Sequence, residues 1–369
     1  MEAAFYISAF LIVLYGITIF SFARGWGKLK KFKLKISLDQ PNVTIVVACR
    51  NEENEISGLL DSLARQSYPK EKTEIIIVND HSTDNTENSI RYYSDESIQL
   101  LNLPGNITGK KKALQYGISL AKSEIIITTD ADCIMNENWI VSMVNYYLKH
   151  KPKLLVGPVI LHPQDNPFQK LQSLEFLSLI GSGAGAIGIG KPIMCNGANL
   201  LFEKSVYENA VHNNKYASGD DIFLLLSAKK KHRKEIHFIK STDAIVYTKP
   251  TQTVHDFFKQ RIRWTSKSKG YRDFDVIFTA IIVAISNLVL ASYLMLSVFM
   301  KVFFLYFLFA FIIKSIVDLI LLVQVSRFFK QQNLMWWFLP LQIIYPFYII
   351  FTTIAGLFGS FEWKDRSYR

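Results

Sequence analysis

The chain is poor in cysteine and carries no internal repeat and no low-complexity tract. Its three cysteines, Cys49, Cys133 and Cys195, have neither paired nor metal-ligand spacing. That gives no basis for a disulfide framework or a thiolate metal site, and it suits a reducing compartment. The Asn-x-Thr triplets at Asn42 and Asn106 are accordingly read as chance matches, never exposed to glycosylation. Charge is also missing, from four long stretches. Ala3 to Phe22, Val276 to Met300 and Leu334 to Phe358 carry none, and Val302 to Val325 holds only Lys314 and Asp318. Each is long enough to cross about 30 Å of hydrocarbon as a helix. The first stretch lacks a basic start and a small-residue cleavage site, so residues 1–24 read as an anchor rather than a signal peptide. Lys314 and Asp318, four apart, read as a pair on one helix face. With so few intramembrane charges a transporter fits poorly.

What the chain has in excess is base: 42 Lys and Arg against 31 Asp and Glu, a formal charge of +11. Arg24, Lys28, Lys30, Lys31, Lys33 and Lys35 follow the anchor, most of them in a linker over 25–41. By the positive-inside rule they place the following domain in the cytoplasm. The basic balance therefore requires no nucleic acid; anionic lipid head groups and an anionic substrate suffice. The expected location is a multi-pass integral membrane protein of a bacterial-type inner membrane. The oligomeric state is not legible.

Between the anchor and the later apolar segments, apolar runs alternate with amphipathic ones. Val43 to Ala48 is a short apolar run typical of a parallel strand. Asn51-Glu-Glu-Asn-Glu-Ile opens a helix with an acidic first turn and the stripe Ile56, Leu59, Leu60, Leu63. Glu74 to Asn79 is the next strand, ending in Asp80-His-Ser-Thr-Asp-Asn-Thr86, with a helix beyond. Gln99 to Leu103 is a weaker strand, Gly109 to Ala121 a helix, and Ile125 to Thr128 a buried strand. This order predicts a parallel sheet covered by helices, with ligands bound at the carboxyl ends of the strands. Further on, residues 168–190 read as an interfacial helix followed by a flexible Gly-rich loop. Met194 to Phe202 reads as a strand, Ser218-Gly-Asp-Asp221 opens a helix, and Thr253 to Lys269 holds Gln260-Arg-Ile-Arg-Trp264.

The chain is organised around Asp130-Ala-Asp132, just past a strand. Two carboxylates a few Å apart repel unless a cation lies between them or one is protonated, and Mg²⁺ or Mn²⁺ takes such a pair and completes its shell with phosphate oxygens. A lone Asp-x-Asp is more often a solvated turn, but here it is accompanied. Asp80 stands at the end of another strand, although it and Asp84 also suit helix caps. Lys110 is one of three consecutive lysines. Asp220 and Asp221 stand at a helix start. His81, His255 and Asp256 lie beside these motifs without a chemical role of their own.

Taken in order, Asn51-Glu52, Asp80, Gly109-Lys-Lys-Lys-Ala-Leu114, Asp130-Ala-Asp132, Asp220-Asp221 and Gln260-x-x-Arg263-Trp264 resemble the motifs of membrane-bound family 2 glycosyltransferases. These have the GT-A fold, and the signature is shared with cellulose, chitin and hyaluronan synthases and with ceramide glucosyltransferase. The resemblance spans about Val43 to Trp264 and implies a GT-A domain over 42–270. It implies that Ala48, Arg50, Glu52, Asp80, Lys110 and Asp130 bind the nucleotide donor, with Asp80 on the uracil edge of a UDP-sugar. Asp132, with Asp130, would hold Mn²⁺ or Mg²⁺, and Asp221 would be the general base. Asp220, Gln260, Arg263 and Trp264 would serve the acceptor or the diphosphate. Asp220 stands where the family often has Glu.

The chemistry agrees. The leaving diphosphate needs its charge neutralised, to which Arg263 can add a bidentate contact. The acceptor hydroxyl needs a carboxylate to take its proton during attack from the opposite face, which inverts the anomeric configuration. Trp264 offers an apolar plate for a sugar ring or lipid. The expected partners are a nucleotide-sugar donor, a lipid or saccharide acceptor, and membrane lipids. A lipid-like acceptor leads because only about four spans are evident. The alternatives are a processive polysaccharide synthase and a catalytically silent nucleotide-sugar-binding scaffold. Residues 275–360 are expected to form about three membrane segments, and Pro340 and Pro346 are read as able to break the last into a re-entrant hairpin. The tail, 361–369, carries Trp363-Lys-Asp-Arg366, close to a W-K-G-R ending but with Asp365 in place of Gly.

Overall fold

The computed structural model describes residues 2–34, 39–93, 98–162, 166–210, 219–359, 361–363 and 366–368. Lys35, Ser218, Lys364, Asp365 and Arg369 lie outside the described residues. In chain order the first elements are α1 (Glu2–Lys28), β1 (Val43–Cys49), α2 (Ile56–Ala64), β2 (Thr73–Asn79), α3 (Thr86–Tyr93) and β3 (Ile98–Asn102). Then come α4 (Lys110–Leu120), β4 (Ile125–Asp130), β5 (Ile134–Met135), α5 (Trp139–His150), β6 (Leu154–Val156) and β7 (Val159–Leu161). They are followed by α6 (Pro167–Gly188), β8 (Leu200–Glu203), α7 (Lys204–Glu208), α8 (Asp220–His232), β9 (Ile236–Phe238) and β10 (Val246–Thr248). The chain continues with α9 (Val254–Ser266), α10 (Phe274–Leu296), α11 (Val302–Phe328) and α12 (Phe338–Phe358), and a short hairpin of Phe361–Trp363 with Arg366–Tyr368.

These elements form two compact units. One contains Leu29–His162 and Met194–Lys249; the other contains Met1–Lys28, Pro163–Ile193 and Pro250–Arg369. The stretch expected as one domain over 42–270 is thus divided between them.

The first unit is built on a seven-stranded sheet in the order β3-β2-β1-β4-β8-β6-β9, beside a three-stranded sheet β5-β10-β7. β1 is apolar except for Thr44 and buried at every residue, as a central strand covered on both faces must be. It pairs in parallel with β2 and β4, and β2 in parallel with β3. β8 then runs antiparallel to both β4 and β6. The sheet is mostly parallel and Rossmann-like, as the motif order implied. Its register sets Cys49 beside Asn79 and Ala48 beside Asp130, so three strands end on one line. α4 lies close on that sheet through Gly117, where a Cβ would come within 2.7 Å of Val46 and 2.9 Å of Val78.

Two local expectations fail here for identifiable reasons. α2 begins at Ile56 rather than at Asn51, because Asn51 has φ 51° and the N–H groups of Glu52 and Glu53 donate to Thr86 and Asp84 instead of entering a helix. The strand read over 194–202 shrinks to Leu200–Glu203. Before it, Asn199 is fully buried, accepting from the Trp139 indole at 3.0 Å and donating to the carbonyls of Pro158 and Ala244. A buried amide with these bonds satisfied holds a turn rather than a ladder.

The second unit contains four helices long and apolar enough to cross a membrane: Phe5–Lys28, Phe274–Leu296, Val302–Phe328 and Gln332–Phe358. Lys314 is fully buried. Its ammonium donates to Asp318 at 2.7 Å and to Gln342 at 2.8 Å, and the Tyr15 hydroxyl donates to Asp318 at 2.6 Å. The pair seen on one helix face therefore ties α1, α11 and α12 together. The hairpin read into the last segment is absent: α12 runs unbroken through Pro346.

The Gly-rich loop read within 168–190 is also absent. α6 is one helix of 22 residues, its start capped by Asn166, which accepts from Gln169 N at 2.8 Å. Its glycines serve close helix packing. A Cβ on Gly25 would meet the Gly185 carbonyl oxygen at 2.0 Å, and one on Gly185 would meet that of Phe22 at 2.2 Å. Backbone-to-backbone contact of this kind selects glycine as strongly as a loop does, so composition alone could not separate the two. Gly185→Leu is expected to abolish the folded monodisperse species in detergent chromatography. Gly105→Leu, where a Cβ meets nothing within 4 Å, should leave it unchanged.

Candidate active site

At the carboxyl ends of β1 and β2, two loops interlock. The Arg50 guanidinium donates to the carbonyls of Asp80 and His81, each at 2.9 Å. Asn51 N donates to Ser82 Oγ at 3.0 Å, Glu52 N to Thr86 Oγ1 at 2.7 Å, and Glu53 N to Asp84 Oδ2 at 3.1 Å. The other loop answers: Thr83 N donates to Asn51 Oδ1 and Asn85 N to Glu53 Oε2. Asp84 also accepts from Thr86 N. Burial would raise its carboxyl, but the Thr86 hydroxyl and amide outweigh that and hold it below the usual range. The polar Asn51–Glu53 stretch is thus spent on bracing the next loop. Asp80 is 2% exposed, and its Oδ2 accepts from Gly109 N at 2.9 Å. This bond sets the start of α4, where Gly109 has φ 106°.

β4 delivers Asp130 at its last residue and Asp132 in the turn that follows. Lys110 Nζ lies 2.6 Å from Asp130 Oδ1, each side chain about a third exposed. Asp132 Oδ2 accepts from Thr248 Oγ1 at 2.9 Å, at the end of β10. Burial pushes the Asp132 carboxyl up, and the neighbouring Asp130 pushes it further. A cation between the two would relieve that mutual repulsion. Among the described residues, no three His, Cys, Asp or Glu side chains gather as ligands. The donor set is therefore two carboxylates, which fits a hard divalent ion whose remaining shell comes from phosphate oxygens and water.

Asp220 and Asp221 open α8, preceded by Gly219 at φ 101°. Asp221 is half-buried. Its Oδ2 accepts from Gly197 N at 3.2 Å and its Oδ1 from Ile222 N at 2.8 Å. The Gly197 carbonyl in turn accepts from Thr128 Oγ1 of β4 at 3.1 Å, so Asp221 is linked by two bonds to the strand that carries Asp130. Asp220 pairs with Lys111, Nζ to Oδ1 3.6 Å, both side chains nearly closed to solvent. Ala48, Arg50, Glu52, Asp80, Lys110, Asp130, Asp132, Asp220 and Asp221 all belong to this one unit.

Gln260, Arg263 and Trp264 belong to the other, on α9. This helix begins with a capping pair in which Thr253 Oγ1 accepts from Asp256 N and donates to Asp256 Oδ2, giving Asp256 a structural place. Its buried anchor is Arg261. The guanidinium pairs with Glu175 of α6 at 2.5 Å, donates to Gln260, and lies 4.3 Å from the Trp264 ring and 4.5 Å from the Phe257 ring. Tyr348 of α12 donates to the same Glu175 at 3.1 Å. One face of Trp264 is thus taken by Arg261, while Arg263 stays half-buried.

Sequence reading did not single out Lys111, Thr248, Glu175 or Arg261. Glu175 did leave a signal: it is the sole acidic residue of 168–190.

Residues 44–209 match the family model for glycosyl transferase family 2. The poly-β-1,6-N-acetyl-D-glucosamine synthase of Staphylococcus aureus (strain MSSA476) is 29% identical over 259 residues, 68% of this chain and 60% of that protein. The protein of the same description from Staphylococcus epidermidis is 28% identical over 231 residues, 60% of this chain and 53% of that one. The chain thus spans 60% or less of the length of these relatives. Among solved structures, a mannosyltransferase from Pyrobaculum calidifontis, in complex with GDP-mannose and Mn²⁺, superposes with a TM-score of 0.58. It is 18% identical, with 97% of this chain and 99% of that one covered, a likeness of fold.

Two substitutions probe these contacts. Thr248→Val removes the one hydroxyl donated to Asp132 and should weaken Mn²⁺ binding several-fold by calorimetry at neutral pH. Glu175→Ala leaves the Arg261 charge buried and unpaired, a loss of about 3–5 kcal/mol in comparable pairs. It should lower the thermal midpoint of the detergent-solubilised protein by several degrees.

Proposed function

Residues 44–209 match the family model for glycosyl transferase family 2, and on that premise we propose an inverting transferase. It moves a sugar from a nucleotide diphosphate, a UDP-sugar first, to a membrane-associated acceptor. The observation that carries this reading is the gathering of Asp130, Asp132, Lys110 and Asp221 around one strand, β4.

In this reading Ala48, Arg50, Glu52 and Asp80 belong to the nucleotide side. The two braced loops offer a rigid rim at the strand ends, where open α/β sheets take their ligands. Asp130 and Asp132 would hold Mn²⁺ or Mg²⁺, which when bound supplies countercharge for the departing diphosphate. Lys110 adds a mobile positive charge beside the same phosphates. Asp221 takes the proton from the acceptor hydroxyl. Two backbone N–H donors hold its carboxylate in the first turn of α8. A carboxylate has about four acceptor positions, so the hydroxyl finds one in a fixed direction. Arg263 is assigned to the diphosphate, and Gln260, Trp264 and Asp220 to the acceptor side.

A lipid-like acceptor is supported by the construction of α9. The Gln260–Trp264 helix packs on a candidate membrane span: Phe258 lies 5.0 Å from Phe351 of α12, and Arg261 and Tyr348 share Glu175. The basic Lys28, Lys30, Lys31 and Lys33 support a cytoplasmic catalytic unit at a bacterial-type inner membrane. A second reading, a processive synthase extending a saccharide, is favoured by the Staphylococcus relatives.

The test is transfer from radiolabelled UDP- and GDP-sugars by membranes holding the intact protein, with Mn²⁺ or chelator. Metal-dependent label in the lipid extract supports the leading reading, and label in an ethanol-insoluble polymer supports the second. Nucleotide binding without turnover of any donor rejects both and leaves a silent scaffold. Asp221→Asn should cut transfer by about 10²–10⁴-fold while changing nucleotide affinity less than twofold.

A further inference from the structure

α4 opens on two adjacent lysines that serve different carboxylates. Lys110 reaches Asp130 at 2.6 Å, each side chain about a third exposed. Lys111 reaches Asp220 at 3.6 Å, with side chains 6% and 11% exposed. Phe223, one turn into α8, lies 6.0 Å from the Lys111 ammonium. Placing cations here runs against local electrostatics, because the first turn of a helix carries the positive end of its dipole. Burial works against Lys111 as well, pulling its pKa down, and the Asp220 carboxylate opposes that pull. A solvated lysine would turn outward. Lys111 stays in, so the partner must repay both penalties.

That partner sits at a sensitive place. Asp220 is the first residue of α8 and is followed directly by Asp221. Both helices start from a glycine with positive φ, Gly109 at 106° and Gly219 at 101°, so each chain turns sharply into its first turn. Such a start is set by what anchors it. α4 is anchored by Gly109 N on Asp80 and α8 by Gly197 N on Asp221, and the Lys111–Asp220 pair ties the first turns of the two helices together. We propose that Lys111 is a positioning residue for the acceptor side: its buried pair with Asp220 fixes the first turn of α8 and so aims the Asp221 carboxylate, while Lys110 serves the donor side. One turn of α4 then couples the two halves of the site. This rests on Asp221 being the base of the proposed transfer.

The test compares Lys111→Met, Lys111→Arg and Lys110→Met in the full-length protein, using the donor identified above. Lys111→Met should lower kcat tenfold or more, with donor KM and UDP affinity within twofold of the parent. Lys111→Arg should recover most of that loss, because it restores the charge. Lys110→Met should instead raise donor KM. Hydrogen exchange gives a reading independent of turnover: the peptide spanning 219–226 should exchange faster in Lys111→Met and as in the parent in Lys110→Met. An unchanged kcat and unchanged exchange in Lys111→Met overturns the proposal. So does a loss that Lys111→Arg fails to recover, which marks a packing role. A rise in donor KM equal to that of Lys110→Met overturns it too, as that marks a donor ligand. If the parent turns over no donor, the transferase reading fails and with it any role in transfer. The exchange comparison then still decides whether Lys111 orders α8.

Discussion

Carboxylates collected at one end of a sheet repel one another, and each must be given a partner before the sheet can close around them. In the sheet-based unit five of them draw on three kinds of partner. Asp80 takes a backbone N–H, Asp130 an ammonium, Asp132 a hydroxyl, Asp221 two backbone N–H groups, and Asp220 a buried ammonium. These partners come from α4, from β10, from the turn before β8 and from α8 itself. The elements flanking β4 are placed where they can supply them. The fold and the site are therefore one problem: the parallel register puts the strand ends on a line, and pairing the charges fixes what surrounds that line.

The helical unit meets the same constraint in a less polar setting. Lys314 and Asp318 are held by Gln342 and Tyr15, and Arg261 and Glu175 by Gln260 and Tyr348. In both groups neutral donors or acceptors complete the ion pair, with at least one tyrosine reaching in from another helix. A bare pair in a membrane setting is expensive, and closing its remaining hydrogen-bonding capacity is what makes it tolerable. The result is specific in a way that apolar packing is not. Leu or Phe can slide along a neighbour by a turn, but a tyrosine hydroxyl that must reach one carboxylate cannot. The glycine contact of α1 with α6 has the same effect through shape rather than charge.

Much of this was legible in the sequence because it depends on short-range pattern. β1, β2 and β4 each hold at least three consecutive apolar residues with polar residues at or just past the carboxyl end, and α4 follows a glycine. Each of the four apolar stretches overlaps one candidate span over most of its length. Where reading failed, the deciding contact was distant in sequence. Asn51 to Glu53 look like a helix start, yet their N–H groups are claimed by a loop some thirty residues on. The glycines of α6 look like a loop until α1 is laid against them. Of three consecutive lysines, nothing local says that the second turns inward while the first faces the strand end.

That difference between Lys110 and Lys111 separates two uses of one side chain. A pair about a third exposed to water, like Lys110 with Asp130, is worth about 0.2–1 kcal/mol. It can therefore exchange its carboxylate for a phosphate with little penalty, as the proposed donor-binding role requires. A buried pair behaves oppositely. Separating Lys111 from Asp220 would leave two desolvated charges, a loss of about 3–5 kcal/mol in comparable cases. A single hydrogen bond of ordinary strength does not offset that. The exposed lysine is suited to binding and the buried one to holding. They are adjacent because a helix's first turn sends successive side chains in directions about a hundred degrees apart, here toward β4 and toward α8.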